Sequence, residues 1–193
     1  DLRLAVTSRS MGEASIRRGL PAGLPERVDK LIERYWGVWK SVVPGNIAFT
    51  GTLGNEVSYI RMASDDFRWC VASLISNAVE AMPKGGELEL RYYLSPSENP
   101  QRKGANDIVI DLKDSGVGME PSILAKAMQP FFSTKPGHAG LGLSQLQWTL
   151  ESAGGSVRLR GNPEGGVTAS IRLPAAEGDR KSTRLNSSHV KRS

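Results

Sequence analysis

Cysteine is almost absent from the sequence: Cys70 is the only one among 193 residues, which also include just two histidines. One cysteine excludes an internal disulfide framework and a zinc site built from cysteines, and we expect Cys70 to lie inside a helix. No apolar run approaches the roughly 20 residues that a membrane-spanning helix needs, and the N-terminus lacks the pattern of a signal peptide. We therefore expect a soluble piece of protein that makes no membrane contact of its own.

An excess of charge is also missing outside the C-terminus. The formal net charge is +5, but residues 179–193 hold five Lys or Arg and one Asp, which leaves 20 basic and 19 acidic residues elsewhere. The sequence therefore gives no support to nucleic acid as a partner. We interpret residues 176–193 as a disordered tail that resembles the translation of a sequencing adapter, with a natural basic tail as the alternative.

Length and composition indicate one domain with appendages, because 193 residues with 39% hydrophobic content bury one substantial core rather than two. Residues 1–24 show no sustained period and are expected to be a linker or the edge of a fragment. Residues 25–175 form the predicted domain. The spacing of apolar residues predicts a helix over residues 26–42, followed by two short strands at residues 47–50 and 57–62 around a turn at residues 51–55, which includes Gly51.

The clearest helix in the sequence is predicted between residues 64 and 82. Ser64 or Asp65 can cap its N-terminus, and its core-facing stripe is Phe67, Val71, Leu74, Ile75, Ala78 and Met82. A second, more polar stripe on the same helix consists of Ser73, Asn77, Glu80 and Ala81. An asparagine is unfavourable in mid-helix because its amide competes for backbone hydrogen bonds, so Asn77 indicates either a function or a satisfied polar residue at the core's edge.

The second half of the predicted domain alternates strands with one glycine-rich segment. Strands are predicted at residues 87–94, 107–113, 157–160 and 167–173, and a helix at residues 143–153, with Pro174 ending the fold. A polar loop joins the first two of these strands. The order of elements indicates a mixed α/β arrangement whose strand pairs can be antiparallel.

The glycine-rich segment lies in residues 107–144. Asp114 ends an apolar strand and is followed by one group of glycines at Gly116 and Gly118, and a second group begins at Gly137. Glycines at this density suit a backbone that approaches a flat ligand closely and then closes over a charged one. The segment therefore predicts a nucleotide site.

Four blocks of sequence, in this order, resemble the ATP-binding domain of histidine kinases, which belongs to the Bergerat-fold (GHKL) ATPases together with gyrase and a heat-shock chaperone. The blocks are LISNAVEA at residues 74–81, DSGVGM at residues 114–119, PFFSTK at residues 130–135 and GLGLS at residues 140–144. Any one block is weak evidence, but four in order are improbable by chance. The resemblance, nearest to the nitrogen-regulator type, implies an α+β two-layer sandwich with a mixed, largely antiparallel sheet covered on one face by helices.

The resemblance also implies a site for ATP and Mg²⁺. Asp114 would accept a hydrogen bond from the exocyclic amine of adenine, Gly116 and Gly118 would make room for the base, and Met119 would pack on its face. Asn77 would offer its side-chain oxygen to Mg²⁺. The other implied nucleotide contacts come from the same helix, from a mobile lid at residues 137–142, from the residues that lead into the lid, and from the last strand: Glu80, Ala81, Thr134, Lys135, Gly137, His138, Gly140, Leu141, Gly142 and Thr168. Phe131 and Phe132 are expected to anchor the lid to the core.

Two departures from the family pattern narrow the expected chemistry. Ser73 stands where the hydrolysing relatives carry a glutamate general base, and serine cannot take that role at neutral pH without a base of its own. The two histidines, His138 and His189, do not lie on an amphipathic helix, so the phosphoacceptor histidine is not expected in this chain.

The resemblance thus implies a cytoplasmic domain that presents the γ-phosphate of ATP to a histidine on a separate dimerisation segment. The parent protein would be dimeric, would serve a response regulator, and can be a membrane-bound sensor with this domain in its cytoplasmic portion. A non-catalytic ATP-sensing module and a Bergerat-type ATPase are the alternatives.

Overall fold

A computed structural model describes residues 24–54, 56–135, 137 and 139–176. Four α-helices lie in these ranges: α1 (Val28–Val42), α2 (Ser64–Ala81), the short α3 (Pro121–Leu124) and α4 (Gly142–Ser152). The strands are β1 (Glu26–Arg27), β2 (Ile47–Leu53), β3 (Tyr59–Ile60), β4 (Gly86–Pro96), β5 (Asn106–Asp114), β6 (Ser156–Gly161) and β7 (Val167–Pro174). A 3-10 turn at Pro100–Arg102 lies in the loop between β4 and β5.

Five strands form one sheet in the order β2-β4-β5-β7-β6. β2 and β4 are parallel, and the other neighbouring pairs are antiparallel. The parallel pair needs a long crossover, which α2 supplies, whereas short connections suffice for the antiparallel pairs. The expected α+β sandwich with a mixed, largely antiparallel sheet is confirmed.

One face of the sheet carries the core. On β4, Leu88, Leu90 and Tyr92 are buried, while the alternating residues Glu89 and Arg91 form an ion pair on the other face. The buried side chains of the sheet pack against the apolar faces of α1, α2 and α4. The predicted stripe of α2 is buried in full, and Cys70 lies inside this helix as expected.

The predicted strands after α1 needed correction. β2 runs on to Leu53 and pairs with β4, whereas β3 comprises two residues and pairs with β1. Gly51 was predicted to belong to a turn, yet it lies within β2, where a Cβ atom would come 2.6 Å from Cη2 of Trp36. The glycine therefore serves a close approach of α1 to the sheet rather than a turn.

Two helix and chain ends also differ from prediction. The N-cap of α2 is Ala63, with no side-chain cap, so neither Ser64 nor Asp65 caps the helix; both lie within its first turn. Beyond Pro174, Ala176 bridges to Tyr59, so the fold continues past its predicted end.

None of the helices within the described ranges is long and apolar enough to span a membrane.

Candidate functional site

A pocket opens between α2, the end of β5, the turn that follows β5, and the strands β6 and β7. The register of the sheet places Leu112, Ala169 and Leu159 side by side on the helix-facing side, where they form the apolar floor. The complete lining is Leu74, Asn77, Ala78, Ala81, Leu112, Asp114, Gly118, Met119, Leu143, Leu159, Val167 and Ala169. Asn77 and Asp114 are its two polar side chains, as the sequence predicted for the site.

Asp114 is the last residue of β5 and is only 7% exposed. Its Oδ1 atom accepts hydrogen bonds from the backbone N–H groups of Gly116 (2.9 Å) and Val167 (3.2 Å). Burial raises the pKa of the Asp114 carboxyl above its ordinary value, and the two hydrogen bonds lower it by less. The carboxyl is thus fixed through one oxygen at the edge of an apolar pocket.

The turn after Asp114 lies directly on the C-terminal end of α2. The N–H of Val117 donates to the carbonyl of Ala81 at 3.1 Å. A Cβ atom at Gly116 would lie 2.7 Å from that same oxygen and 2.9 Å from Oδ1 of Asp114. Only glycine therefore allows this turn to hold Asp114 and touch α2 together.

Thr168 does not line the pocket, although the resemblance implied a contact with adenine. Successive side chains of a strand point to opposite faces, and on β7 it is Val167 and Ala169 that line the pocket. The buried Thr168 hydroxyl instead donates to Oδ1 of Asn162 at 2.7 Å. Sequence reasoning missed Val167; its alternation with Ile171 and Leu173 on the core-facing side of β7 was the signal that could have identified it.

The polar stripe of α2 runs from the core to the mouth of the site. Ser73 is buried, and its Oγ atom has no hydrogen-bond partner in the part of the chain that the structure describes. Asn77 is half-buried and lines the pocket. Glu80 is exposed, with Oε2 at 2.5 Å from Nζ of Lys135 and Oε1 accepting from Ser76 at 3.4 Å.

The donor set near Asn77 suits a magnesium ion that the nucleotide helps to hold. No group of three or more His, Cys, Asp or Glu residues within the described ranges could bind a metal by itself. Mg²⁺ is commonly bound through one or two protein oxygens together with substrate phosphates and water. The amide oxygen of Asn77 at the pocket fits such an arrangement.

The lid residues, as far as they are described, lie outside the pocket lining. Thr134, Gly137 and Gly142 are exposed, whereas Gly140 and Leu141 are half-buried, and His138 lies outside the described residues. The base of the lid is closed by a hydrogen bond from the N–H of Phe131 to the carbonyl of Gly140 at 2.9 Å.

Phe131 corrects the predicted role of its side chain. Phe131 is 74% exposed and its φ is 65°, a left-handed conformation that is rare outside glycine. The backbone of Phe131, rather than its ring, therefore ties down the lid, while Phe132 is half-buried beside it.

The sequence of residues 62–177, more than half of the chain, matches the family described as histidine kinase-, DNA gyrase B-, and HSP90-like ATPases. The chain belongs to this family.

Its relatives include a histidine-protein kinase and a sensor protein. Over 68% of this chain, the sequence is 28% identical to the signal transduction histidine-protein kinase AtoS of Escherichia coli. Over 55% of this chain, it is 32% identical to the sensor protein FixL of Bradyrhizobium diazoefficiens. It spans 20% of each of these relatives. The structure of the mycobacterial sensor histidine kinase MprB shares the fold, with a TM-score of 0.63 and 23% identity over 78% of this chain and 96% of that one. Within its family, the domain is therefore similar in sequence to histidine kinases and shares the fold of one of them.

Proposed function

We propose that the domain binds magnesium-ATP in this pocket and presents the γ-phosphate to a histidine on a dimerisation segment that lies outside this chain. The observation that carries the proposal is the buried Asp114 carboxyl at the edge of an apolar pocket, held through one oxygen by two backbone N–H groups.

Adenine is the base that this arrangement favours. Oδ1 of Asp114 accepts both backbone hydrogen bonds, so Oδ2 is the atom that would accept a hydrogen bond from the 6-amine of adenine. Guanine offers a carbonyl oxygen at the same place, which a carboxylate repels. The side chains of Met119 and Val167, both in the pocket lining, would pack against the ring.

The polar end of the site would take the phosphates. Asn77 would hold a magnesium ion, which would neutralise part of the charge of the phosphates. Lys135, at the base of the lid, pairs with Glu80 at the protein surface. Because an exposed ion pair is weak, Lys135 can leave Glu80 for a phosphate oxygen when ATP enters.

Transfer to histidine, rather than to water, agrees with the surroundings of Ser73. In the transfer, a histidine nitrogen forms a bond to the γ-phosphorus while the bond to the β-phosphate oxygen breaks and ADP leaves. Such a reaction needs mainly positioning and charge neutralisation from the protein. Hydrolysis would need a general base that activates water. The buried Ser73 hydroxyl has no hydrogen-bond partner in the described ranges that could turn it into such a base.

The parent protein is proposed to be a dimeric sensor kinase that acts in a two-component system with a response regulator. The chain spans 20% of AtoS and of FixL, so the acceptor segment would lie in the remainder of such a protein. Because ATP would be the substrate, we expect the domain to work in the cytoplasm.

Binding and transfer can be tested separately. Titration calorimetry of the chain with ATP, with and without Mg²⁺, should show binding that Asp114→Asn weakens and a magnesium-dependent part that Asn77→Ala removes. A dimerisation segment from a related sensor kinase, mixed with the domain and γ-labelled ATP, should then take up the label. Absence of ATP binding, or binding that Asp114→Asn leaves unchanged, would contradict the assignment.

The rival functions give different results in the same assay. Tight ATP binding without label on any of several acceptor segments would indicate a sensing module. Free phosphate released without an acceptor, and lost in Asn77→Ala, would indicate a hydrolase.

A further inference from the structure

Asp114 stands where the pairing of β5 with β7 ends. Lys113 and Thr168 are the last backbone partners between these two strands. One residue further, the N–H of Val167 donates to the Asp114 side chain. The carboxyl therefore replaces a backbone partner, and its position depends on what holds the backbone of residue 114.

Asn162, in the turn between β6 and β7, holds that backbone from the side opposite the pocket. Its Nδ2 atom donates to the carbonyl oxygen of Asp114 at 3.4 Å. Its Oδ1 atom accepts from the hydroxyl of the buried Thr168 at 2.7 Å. Since a hydroxyl hydrogen satisfies the amide oxygen, the amide nitrogen is the atom directed at Asp114.

The turn that carries Asn162 is itself well defined. The backbone N–H of Asn162 donates to the carbonyl of Gly166 at 3.0 Å, and the backbone carbonyl of Asn162 accepts from the N–H of Gly165 at 3.1 Å. A Cβ atom at Gly166 would lie only 2.0 Å from the carbonyl oxygen of Asp114. The turn is thus packed on the same carbonyl to which Asn162 donates.

We infer that Asn162, oriented by Thr168, is a positioning residue that sets the selectivity of Asp114 for adenine. The inference rests on the proposed function, since it assumes that Asp114 binds the 6-amine. It assigns Thr168 an indirect role: the threonine acts on the base through Asn162 and Asp114 and does not touch the nucleotide.

The test compares two nucleotides that differ only at the 6-amine. Asn162→Ala and Thr168→Val, made in the full 193-residue chain, are titrated with ATP and with purine riboside triphosphate, which lacks the amine. ATP affinity should fall about two- to tenfold, the range of one hydrogen bond. Affinity for the analogue should stay unchanged. Thr168→Ser, which keeps the hydroxyl, should keep the preference for ATP over the analogue that Thr168→Val loses.

Glu164→Gln is the matched control. Glu164 forms an ion pair with Lys113 and ties the same turn to β5 without touching Asp114. Loosening the turn in this way should leave the preference for ATP over the analogue intact. A loss of preference equal to that of Asn162→Ala would show that any weakening of the turn suffices, which overturns a specific role for Asn162.

The remaining outcomes also decide. Equal weakening of both nucleotides in Asn162→Ala and Thr168→Val would make the pair merely structural, and unchanged ATP affinity in both would remove any role. If Asn162→Ala fails to fold, Thr168→Val and Thr168→Ser decide alone. Normal ATP binding that is lost in Asp114→Asn but not in these variants would overturn this inference and leave the proposed function standing. If the unaltered chain does not bind ATP, both fail.

Discussion

At the scale of single residues, Asp114 combines a functional gain with a structural cost. A carboxylate in an apolar pocket is expensive to bury, and burial raises the pKa of this carboxyl. Asp114→Asn keeps an oxygen for the N–H groups of Gly116 and Val167 but removes the charge. We expect the variant to bind ATP more weakly and yet to resist denaturant better at neutral pH.

The pH dependence of stability tests the same residue. Because the pKa of the folded Asp114 carboxyl lies above its unfolded value, the unfolded carboxyl ionises first as the pH rises past about 3.9. The unaltered chain therefore loses stability until the folded carboxyl ionises too, and the loss then levels off. Asparagine does not titrate. Denaturant unfolding of both proteins across this pH range should show the advantage of Asp114→Asn emerging above the ordinary aspartate value and absent below it. A constant difference at all pH values would contradict the assignment.

Gly116 offers a second prediction at this scale. An added Cβ atom would lie 2.7 Å from the carbonyl oxygen of Ala81 and 2.9 Å from its Cβ. Gly116→Ala should therefore lower the free energy of unfolding by about 1–3 kcal/mol, the usual cost of overpacking, and weaken ATP binding by moving Asp114. Gly45→Ala is the control, because nothing lies within 4 Å of its Cβ position. Equal stability of the two variants in denaturant unfolding would show that the turn can shift freely.

At the scale of elements, the base of the lid is held to α2 by an ion pair between Lys135 and Glu80. Both side chains are about one-third exposed, at 37% and 34%, so the pair should contribute less than about 1 kcal/mol to stability. Lys135→Gln should therefore leave unfolding almost unchanged while weakening ATP binding about tenfold or more, the effect of losing a hydrogen bond from a charged group. Adenosine, which has no phosphates, should bind as before.

Lys30→Gln gives the matched control for this prediction. Lys30 pairs with Glu33 on the exposed side of α1, with the two atoms 2.6 Å apart. The substitution removes the same charge from the protein, but away from the pocket. If Lys30→Gln weakened ATP binding as strongly as Lys135→Gln, the effect would come from the overall charge rather than from contact with phosphate.

The elements also show how far the sequence could be interpreted. The apolar periodicity of α2 and the alternation of β4, β5 and β7 identified the core, since burial on one face leaves a period in the sequence. The pairing of β2 with β4 could not be found in this way, because it joins segments separated by a helix. The prediction for Gly51 failed for a physical reason. The sequence does not distinguish a glycine required by close contact with the indole of Trp36 from a glycine required by a turn.

The site divides in a similar manner. The motifs brought Asn77, Asp114, Gly118 and Met119 to one pocket, because each motif belongs to a local turn or helix face. The structure differs from the roles predicted for Phe131 and Thr168, because a residue type does not show which of its groups makes a contact or which face of a strand it occupies. The backbone N–H of Phe131 donates to Gly140, and the hydroxyl of Thr168 donates to Asn162.

At the scale of the whole molecule, the two ends of the described domain meet at one short segment. The N–H of Val28 donates to the carbonyl of Ser58 at 3.0 Å, next to the pairing of β1 with β3. From the other end, the N–H of Ala176 donates to the carbonyl of Tyr59 at 2.7 Å. Residues 58–59 thus connect the start of α1 with the residues that follow β7.

This junction predicts that Ala175 and Ala176 contribute to stability although they follow the last strand. Their N–H groups donate to the carbonyls of Asn106 and Tyr59, at 3.1 and 2.7 Å. The free energy of unfolding of a chain that ends after Pro174 should therefore be about 1–3 kcal/mol lower than that of a chain that ends after Ala176. Each of the two hydrogen bonds contributes about 0.5–1.5 kcal/mol. ATP affinity should be equal in the two, because neither residue lines the pocket. Denaturant unfolding and calorimetry of the two shortened chains measure both quantities. Equal unfolding would mean that β1, β3 and the first turn of α1 are held without the C-terminal bridge.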